Sequence, residues 1–158
     1  MITAVDTNAL LALLYDDEHA DASERALREA YREGRLVVAP IVYAELAADG
    51  RFEGVDELDR FLADLSIAVA DPSEAALFRA GEAFRRCVDR RPDGLQCPAC
   101  GSERAVECED CGESLAPRQH VVADFAIGGH ASVDADALVS FDEAFYETYF
   151  PSLAVYPS

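Results

Sequence analysis

Residues 1–15 read MITAVDTNALLALLY, and Asp6 is the only charged side chain among them. Ile2–Val5 is short and apolar, as a buried strand is. From Asn8 to Tyr15 the chain reads as an apolar helix. Asp6 stands at the junction of the two. Burying a lone carboxylate costs several kcal/mol unless something compensates it, so a carboxylate at this place needs a partner.

The same grammar repeats outward from this stretch. LVVA (36–39), IAVA (67–70) and ALVS (137–140) read as further short strands, with LAV (153–155) a weaker fifth. Helical segments are expected over about 19–33, 41–49, 55–64, 73–90, 119–132 and 142–149. Gly34 marks a helix stop and Pro40 suits a first turn. On the helix over 73–90, Leu77, Ala80, Phe84 and Cys87 recur at helical spacing as the expected core face, with Ser73 or Asp71 as its cap. Short strands that do not alternate, separated by helices, predict an α/β fold with a parallel sheet covered on both faces. In such sheets, sites form beyond the carboxyl ends of the strands.

At 158 residues and 51% apolar, the chain is long and apolar enough for one folded domain. No apolar run approaches the roughly 18–20 residues that cross a bilayer, and the start lacks a basic secretory signal. A cytoplasmic protein is expected, with no membrane partner. The net charge is −18, from 31 acids against 13 bases, and every base is Arg. Such a charge ordinarily argues against a nucleic-acid partner. Lys-poor acidic surfaces are also what halophilic proteins carry. In about 1 M salt the Debye length falls to roughly 3 Å, and the charge then says little about the partner.

Four of the five cysteines form CPACGSERAVECEDCG, a Cys-x2-Cys-x7-Cys-x2-Cys array of Cys97, Cys100, Cys108 and Cys111. Each pair is followed by a glycine, which permits a tight turn around a metal. Two such turns make a closed four-thiolate set for a structural Zn²⁺, in a small hairpin insert over about 92–117. A redox dithiol is the competing reading. Cys87 reads as a core residue.

Asp6 has counterparts among acids that interrupt apolar windows. Asp124 is the only acid in VVADFAIGGHASV (121–133). Glu45 is the only charge in PIVYAELAA (40–48). Asp142 follows the fourth strand in ALVSFDEAF. Each has a plainer reading: a helix cap for Asp6 and Asp142, a rim acid for Glu45, a backbone acceptor for Asp124. Convergence of all four would raise their pKa values by repulsion. Mg²⁺ or Mn²⁺ would relieve it, because hard cations take oxygen ligands.

The ordered set of these segments resembles PIN-domain ribonucleases, and the VapC-type toxins in particular. VDTNALLALL resembles their first motif, YAEL their glutamate and ADFAIGGHA their D-x-x-I-x-A-H-A helix. LVSFDEAFYETYFPSLAV resembles their closing segment, with Ser140 where Thr is usual. The resemblance covers about 1–90 and 118–156. It implies a three-layer fold on a five-stranded parallel sheet. It implies a Mg²⁺- or Mn²⁺-dependent endoribonuclease with Asp6, Glu45, Asp124 and Asp142 as its acids. Thr7 and Asn8 match the polar residues beside the first acid and would position water or substrate. RNA is the implied substrate, a small antitoxin the implied partner, and a homodimer is expected. The cysteine insert is foreign to ordinary members. It keeps open an rRNA-maturation nuclease, or a non-catalytic module that binds RNA or protein through the insert.

Overall fold

The computed structural model describes residues 1–90, 95–96, 103–113 and 122–157. Strands β1 (Ile2–Val5), β2 (Arg35–Val38), β3 (Ile67–Val69), β6 (Ala137–Val139) and β7 (Val155–Tyr156) form one sheet in the order β3-β2-β1-β6-β7. Every pairing in it is parallel. Helices α1 (Thr7–Tyr15), α2 (Ala20–Glu33), α3 (Pro40–Ala48), α4 (Val55–Asp64), α5 (Glu74–Arg90), α6 (Ala123–Asp134) and α7 (Glu143–Tyr149) flank it. Two-residue strands β4 (Leu95–Gln96) and β5 (Glu103–Arg104) pair antiparallel apart from the main sheet. The α/β fold with a five-stranded parallel sheet is therefore the one expected. The hairpin lies within the expected insert. Cys97 and Cys100 lie outside the described residues.

Strand order fixes where a site can form. The chain builds β1, β2 and β3 outward on one side, then returns to place β6 on the other side of β1. The crevice between β1 and β6 is thus the topological switch point, where loops leave in opposite directions and open a cleft. Asp6 sits there, its backbone N–H donating to the Val139 carbonyl at 2.9 Å. Central strands are buried nearly throughout, as the apolar runs predict. The edge strand β3 departs from this: Ile67 is buried, whereas Ala68 and Val69 face solvent.

Helices α5 and α6 cross with almost no space between them. A Cβ on Gly129 would stand 2.5 Å from the Ala76 carbonyl oxygen and 2.8 Å from the Ala80 Cβ. This contact corrects the expected core face of α5. The buried residues are Ala76, Ala80, Ala83 and Cys87, while Leu77 is 53% exposed. Small side chains are what so close an approach admits, and leucine is turned away. Phe84 stays half-buried and meets Phe125 of α6 edge-on at 5.5 Å. At the other end, the Asp134 carboxylate accepts from Ser73 N–H at 2.7 Å and Ser73 Oγ–H at 2.6 Å. Ser73 Oγ in turn accepts from Ala76 N–H at 3.2 Å, so the cap of α5 is also its clip to α6.

Phe125 organises the opposite side of α6. It lies fully buried, with Phe145, Tyr149 and Phe150 at ring separations of 4.9, 5.0 and 6.4 Å. Burying a phenylalanine completely stabilises by about 1.5–3 kcal/mol, and edge-on aromatic pairs add to that. This cluster holds α7 in place, and α7 carries a tyrosine that the site uses.

The α5–α6 contact generates a prediction with opposite signs at two glycines. Gly129→Ala gains about 1 kcal/mol of helix propensity, but the new methyl group meets backbone, and overpacking of this kind costs about 1–3 kcal/mol. Urea unfolding should show a net loss. Gly81→Ala on α5 meets nothing within 4 Å and should raise stability by about 0.5–1 kcal/mol. A stabilised Gly129→Ala would contradict the close contact.

Candidate active site

Asp6 caps α1, as the plainest reading of it holds, and does more besides. Its Oδ1 accepts from Thr7 N–H at 2.7 Å. Its Oδ2 accepts from three groups: the Ser140 hydroxyl at 2.7 Å, the Asn8 amide at 3.0 Å and the Tyr146 hydroxyl at 3.0 Å. Asp6 is 3% exposed. A carboxylate offers about four lone-pair sites over two oxygens. Oδ2 is fully engaged, whereas Oδ1 has one donor among the described residues and keeps capacity for another partner.

The donors are placed by the backbone around them. Asn8 lies in the first turn of α1. Its Oδ1 accepts from Phe141 N–H at 3.1 Å, and its Nδ2 reaches Ser140 Oγ at 3.1 Å. It therefore staples the start of α1 to the loop after β6. Ser140 Oγ also accepts from Asp142 N–H at 3.1 Å. Thr7 turns the other way, and its hydroxyl makes a short hydrogen bond to Glu45 Oε2. Glu45 is thereby held toward the Asp6 end of the cleft.

Asp6, Thr7, Asn8, Glu45 and Asp124 line one open cleft, with Leu11 and Asp49 farther along it. Three of the four expected acids thus share a wall. Asp142 stands apart as the cap of α7, accepting from Phe145 N–H at 3.4 Å, and it is exposed. Its charge is still felt at Asp124. Burial raises the Asp124 carboxyl pKa, and the charges of Glu45 and Asp142 raise it further. Burial likewise pushes Asp6 up to about 6, against the pull of its Ser140, Tyr146 and Thr7 hydrogen bonds, and Asp124 adds to the rise.

No ion pair among the described residues involves any of these four acids. Nor do three His, Cys, Asp or Glu side chains among the described residues stand close enough, as placed, to hold one ion. The carboxylates line the cleft without meeting. The donor set is nonetheless one that fits a hard divalent cation: oxygen ligands only, mutually repelling, and without an Arg to neutralise them.

Tyr146 was not visible as a site residue in the sequence, where it belongs to the aromatic run FYETYF. A tyrosine inside an apolar helix face needs a partner for its hydroxyl when buried, and that was the available signal. Its partner is Asp6, and burial together with the Asp6 charge holds its own pKa well above the usual tyrosine value. Of the four cysteines expected to bind zinc, Cys108 and Cys111 are described. Cys111 is exposed, the Cys108 carbonyl accepts from Gly112 N–H at 2.8 Å, and Gly112 has φ +74°. Hydrogen bonds from the Cys111 and Asp110 backbone lower the Cys108 thiol pKa.

The class defined is an α/β domain with an acidic cleft at the switch point of a five-stranded parallel sheet. The sequence profile of the PIN domain matches residues 3–96, more than half of the chain, and the chain belongs to the PIN-domain family. Solved structures similar to it include two VapBC assemblies. VapBC2 from Rickettsia felis, bound to a DNA fragment from their promoter, superposes with a TM-score of 0.61 at 18% identity, over 98% of this chain and 97% of that one. VapBC-1 from nontypeable Haemophilus influenzae gives 0.57 at 19% identity, over 98% and 96%. At such identities the likeness is one of fold. No curated protein matches the sequence.

The raised Asp6 pKa has a definite consequence for stability. The folded chain holds the Asp6 proton to about pH 6, whereas the unfolded chain releases it near 3.8. The folded state binds more protons between these values, so stability from this group is present below about pH 4 and lost as pH rises through about 6. Asp6→Asn removes that titration. In urea unfolding without added divalent cation, wild-type stability minus variant stability should fall by roughly 2–3 kcal/mol from pH 4 to pH 7, at 1.36 kcal/mol per pKa unit. A difference that stays flat with pH would mean that Asp6 is not strained by burial.

Proposed function

We propose that this chain is a metal-dependent endoribonuclease of PIN type, the toxin of a toxin–antitoxin pair. The observation that carries the reading is the set of cleft carboxylates, Asp6, Glu45 and Asp124, buried or half-buried at the switch point without a cationic partner. Mg²⁺ or Mn²⁺ held there would polarise a scissile phosphate and lower the pKa of an attacking water. Asp6 presents Oδ1 to the cleft because Ser140, Asn8 and Tyr146 hold Oδ2. Thr7 orients Glu45. Asp124 faces them from the first turn of α6, and Asp142 acts on Asp124 through its charge or through water. Asn8 positions the loop after β6 and, with Thr7, the substrate.

The partners follow from the same reading. RNA is the substrate, and a small antitoxin would cover the acidic cleft with its C-terminal segment. That two structural neighbours are VapBC assemblies supports such a pairing. A homodimer in a cytoplasmic setting belongs to the same reading, and the Lys-free acidic composition supports a halophilic one. Residues 92–117 are read as a module inserted into a single domain spanning 1–158. Its Cys97, Cys100, Cys108 and Cys111 would hold a structural Zn²⁺. The lowered Cys108 pKa and the turn at Gly112 favour thiolate ligation.

Cleavage of end-labelled single-stranded RNA tests the nuclease. Activity should require Mn²⁺ or Mg²⁺. Ser140→Ala and Tyr146→Phe, which loosen the grip on Asp6, should cost about 10–100-fold, and Asp6→Asn more than that. Full activity in Asp6→Asn sinks the mechanism. Growth arrest on expression, relieved by the adjacent reading frame, would identify the toxin role, whereas a chain tolerated or required by the cell would favour rRNA maturation.

Metal analysis tests the insert separately. The purified chain should carry about one zinc ion, as a closed four-thiolate site does. Cys108→Ser should lower that content and Asp6→Asn should leave it unchanged. A native chain without zinc would return the cysteines to the dithiol reading.

A further inference from the structure

The cleft presents an unsolved problem of charge. No arginine among the described residues lines it, the chain carries no lysine, and a net charge of −18 repels a polyanion. Next to the cleft, a cluster of Tyr15 and Arg51 attaches to one of its lining residues, Asp49.

Tyr15 closes α1 and is 50% exposed. Its hydroxyl donates to Asp49 Oδ1 at 2.8 Å. Asp49 lines the cleft one helical turn beyond Glu45. Its second oxygen is buried and accepts no hydrogen bond from the described residues. Such an arrangement is a poor device for stability, because an unsatisfied buried acceptor is costly. What it does accomplish is to tether the Tyr15 ring to a residue that lines the cleft. Arg51 then lies over that ring, with its guanidinium carbon 4.1 Å from the centroid. One Arg51 nitrogen donates to the Leu14 carbonyl. Arg51 is exposed and makes no ion pair among the described residues. Most of its five N–H donors are therefore uncommitted.

We infer that Tyr15 and Arg51 form a rest for one nucleotide of single-stranded RNA beside the cleavage position, the base stacking on Tyr15 and its phosphate meeting Arg51. The inference rests on the nuclease reading above and adds the surface that holds the substrate. Helix α1 rises about 1.5 Å per residue, which places Tyr15 about 12 Å along the helix from Thr7. That separation assigns the pair to a flanking nucleotide and leaves the scissile phosphate to the carboxylates. Arg51 covers one face of a ring whose residue is still 50% exposed, and the proposal puts the base on that exposed surface. Stacking of this kind accepts any base, so the site contributes affinity and position rather than sequence choice.

Fluorescence anisotropy with a labelled single-stranded RNA, in buffer without added Mg²⁺ or Mn²⁺, tests the pair directly. Tyr15→Ala and Arg51→Ala should each weaken binding about tenfold or more. Tyr15→Phe keeps the ring while losing its Asp49 tether, and should bind between wild type and Tyr15→Ala. Arg51→Lys, which keeps the charge and loses the planar stack, should fall between. Unfolding midpoints should stay unchanged throughout. In Mn²⁺-supported cleavage, Tyr15→Ala should raise KM and leave kcat at saturating RNA as it was. Wild-type binding by both alanine variants overturns the inference. So does a Tyr15→Phe loss equal to that of Tyr15→Ala, or no RNA binding by the wild type. A wild type that binds RNA but cleaves none would fail the nuclease reading alone, with the binding series still deciding the role of Tyr15 and Arg51.

Discussion

The structure is organised around the burial of one carboxylate. Asp6 must be charged to be useful in a hard-cation site, and its position between β1 and β6 removes nearly all water from it. Four donors offset part of that cost, and they come from three separate places: α1, the loop after β6, and α7. Each has to arrive within hydrogen-bond reach of the same two oxygens. The parallel sheet brings the ends of β1 and β6 together, Asn8 ties α1 to the β6 loop, and the aromatic cluster around Phe125 fixes α7. The compensation is incomplete, and the remaining rise in pKa is the part a divalent cation is suited to remove.

Asp124 depends on a different contact. It lies in the first turn of α6, and α6 is set by its seam with α5. Gly129 lets two backbones approach, the alanines of α5 keep that seam narrow, and the Asp134–Ser73 clip closes its far end. Acid placement in the cleft therefore depends on residues with no chemistry of their own. A methyl group at Gly129 would push α6 away from α5 and Asp124 along with it.

Much of this was legible in the chain. Apolar strands without alternation announced a parallel sheet, and Asp6, Glu45 and Asp124 declared themselves by interrupting apolar windows. Two residues were not legible for what they do, each for a physical reason. Hydrophobicity named Leu77 as core, but a seam with a glycine admits only small side chains, and size decided over apolarity. Tyr146 looked like one more aromatic, because a hydroxyl partner 140 residues away in sequence leaves no local pattern. Asp142 had two readings in the chain, cap and site acid; its side chain accepts from the Phe145 N–H of its own helix, and its charge raises the pKa of Asp124. The local competition between capping and convergence cannot be judged without the neighbours in place.

The α5–α6 seam has one more consequence. Ser73 meets Asp134, Ala76 and Ala80 meet Gly129, and Phe84 meets Phe125. The two helices therefore run in opposite directions, so the end of α5 and the start of α6 emerge on the same side, next to Asp124. A segment anchored at two such neighbouring points barely taxes the fold by its length, since each doubling of a loop adds only about 0.6 kcal/mol of closure entropy. This is an attachment port. New material can be spliced in there without disturbing the sheet.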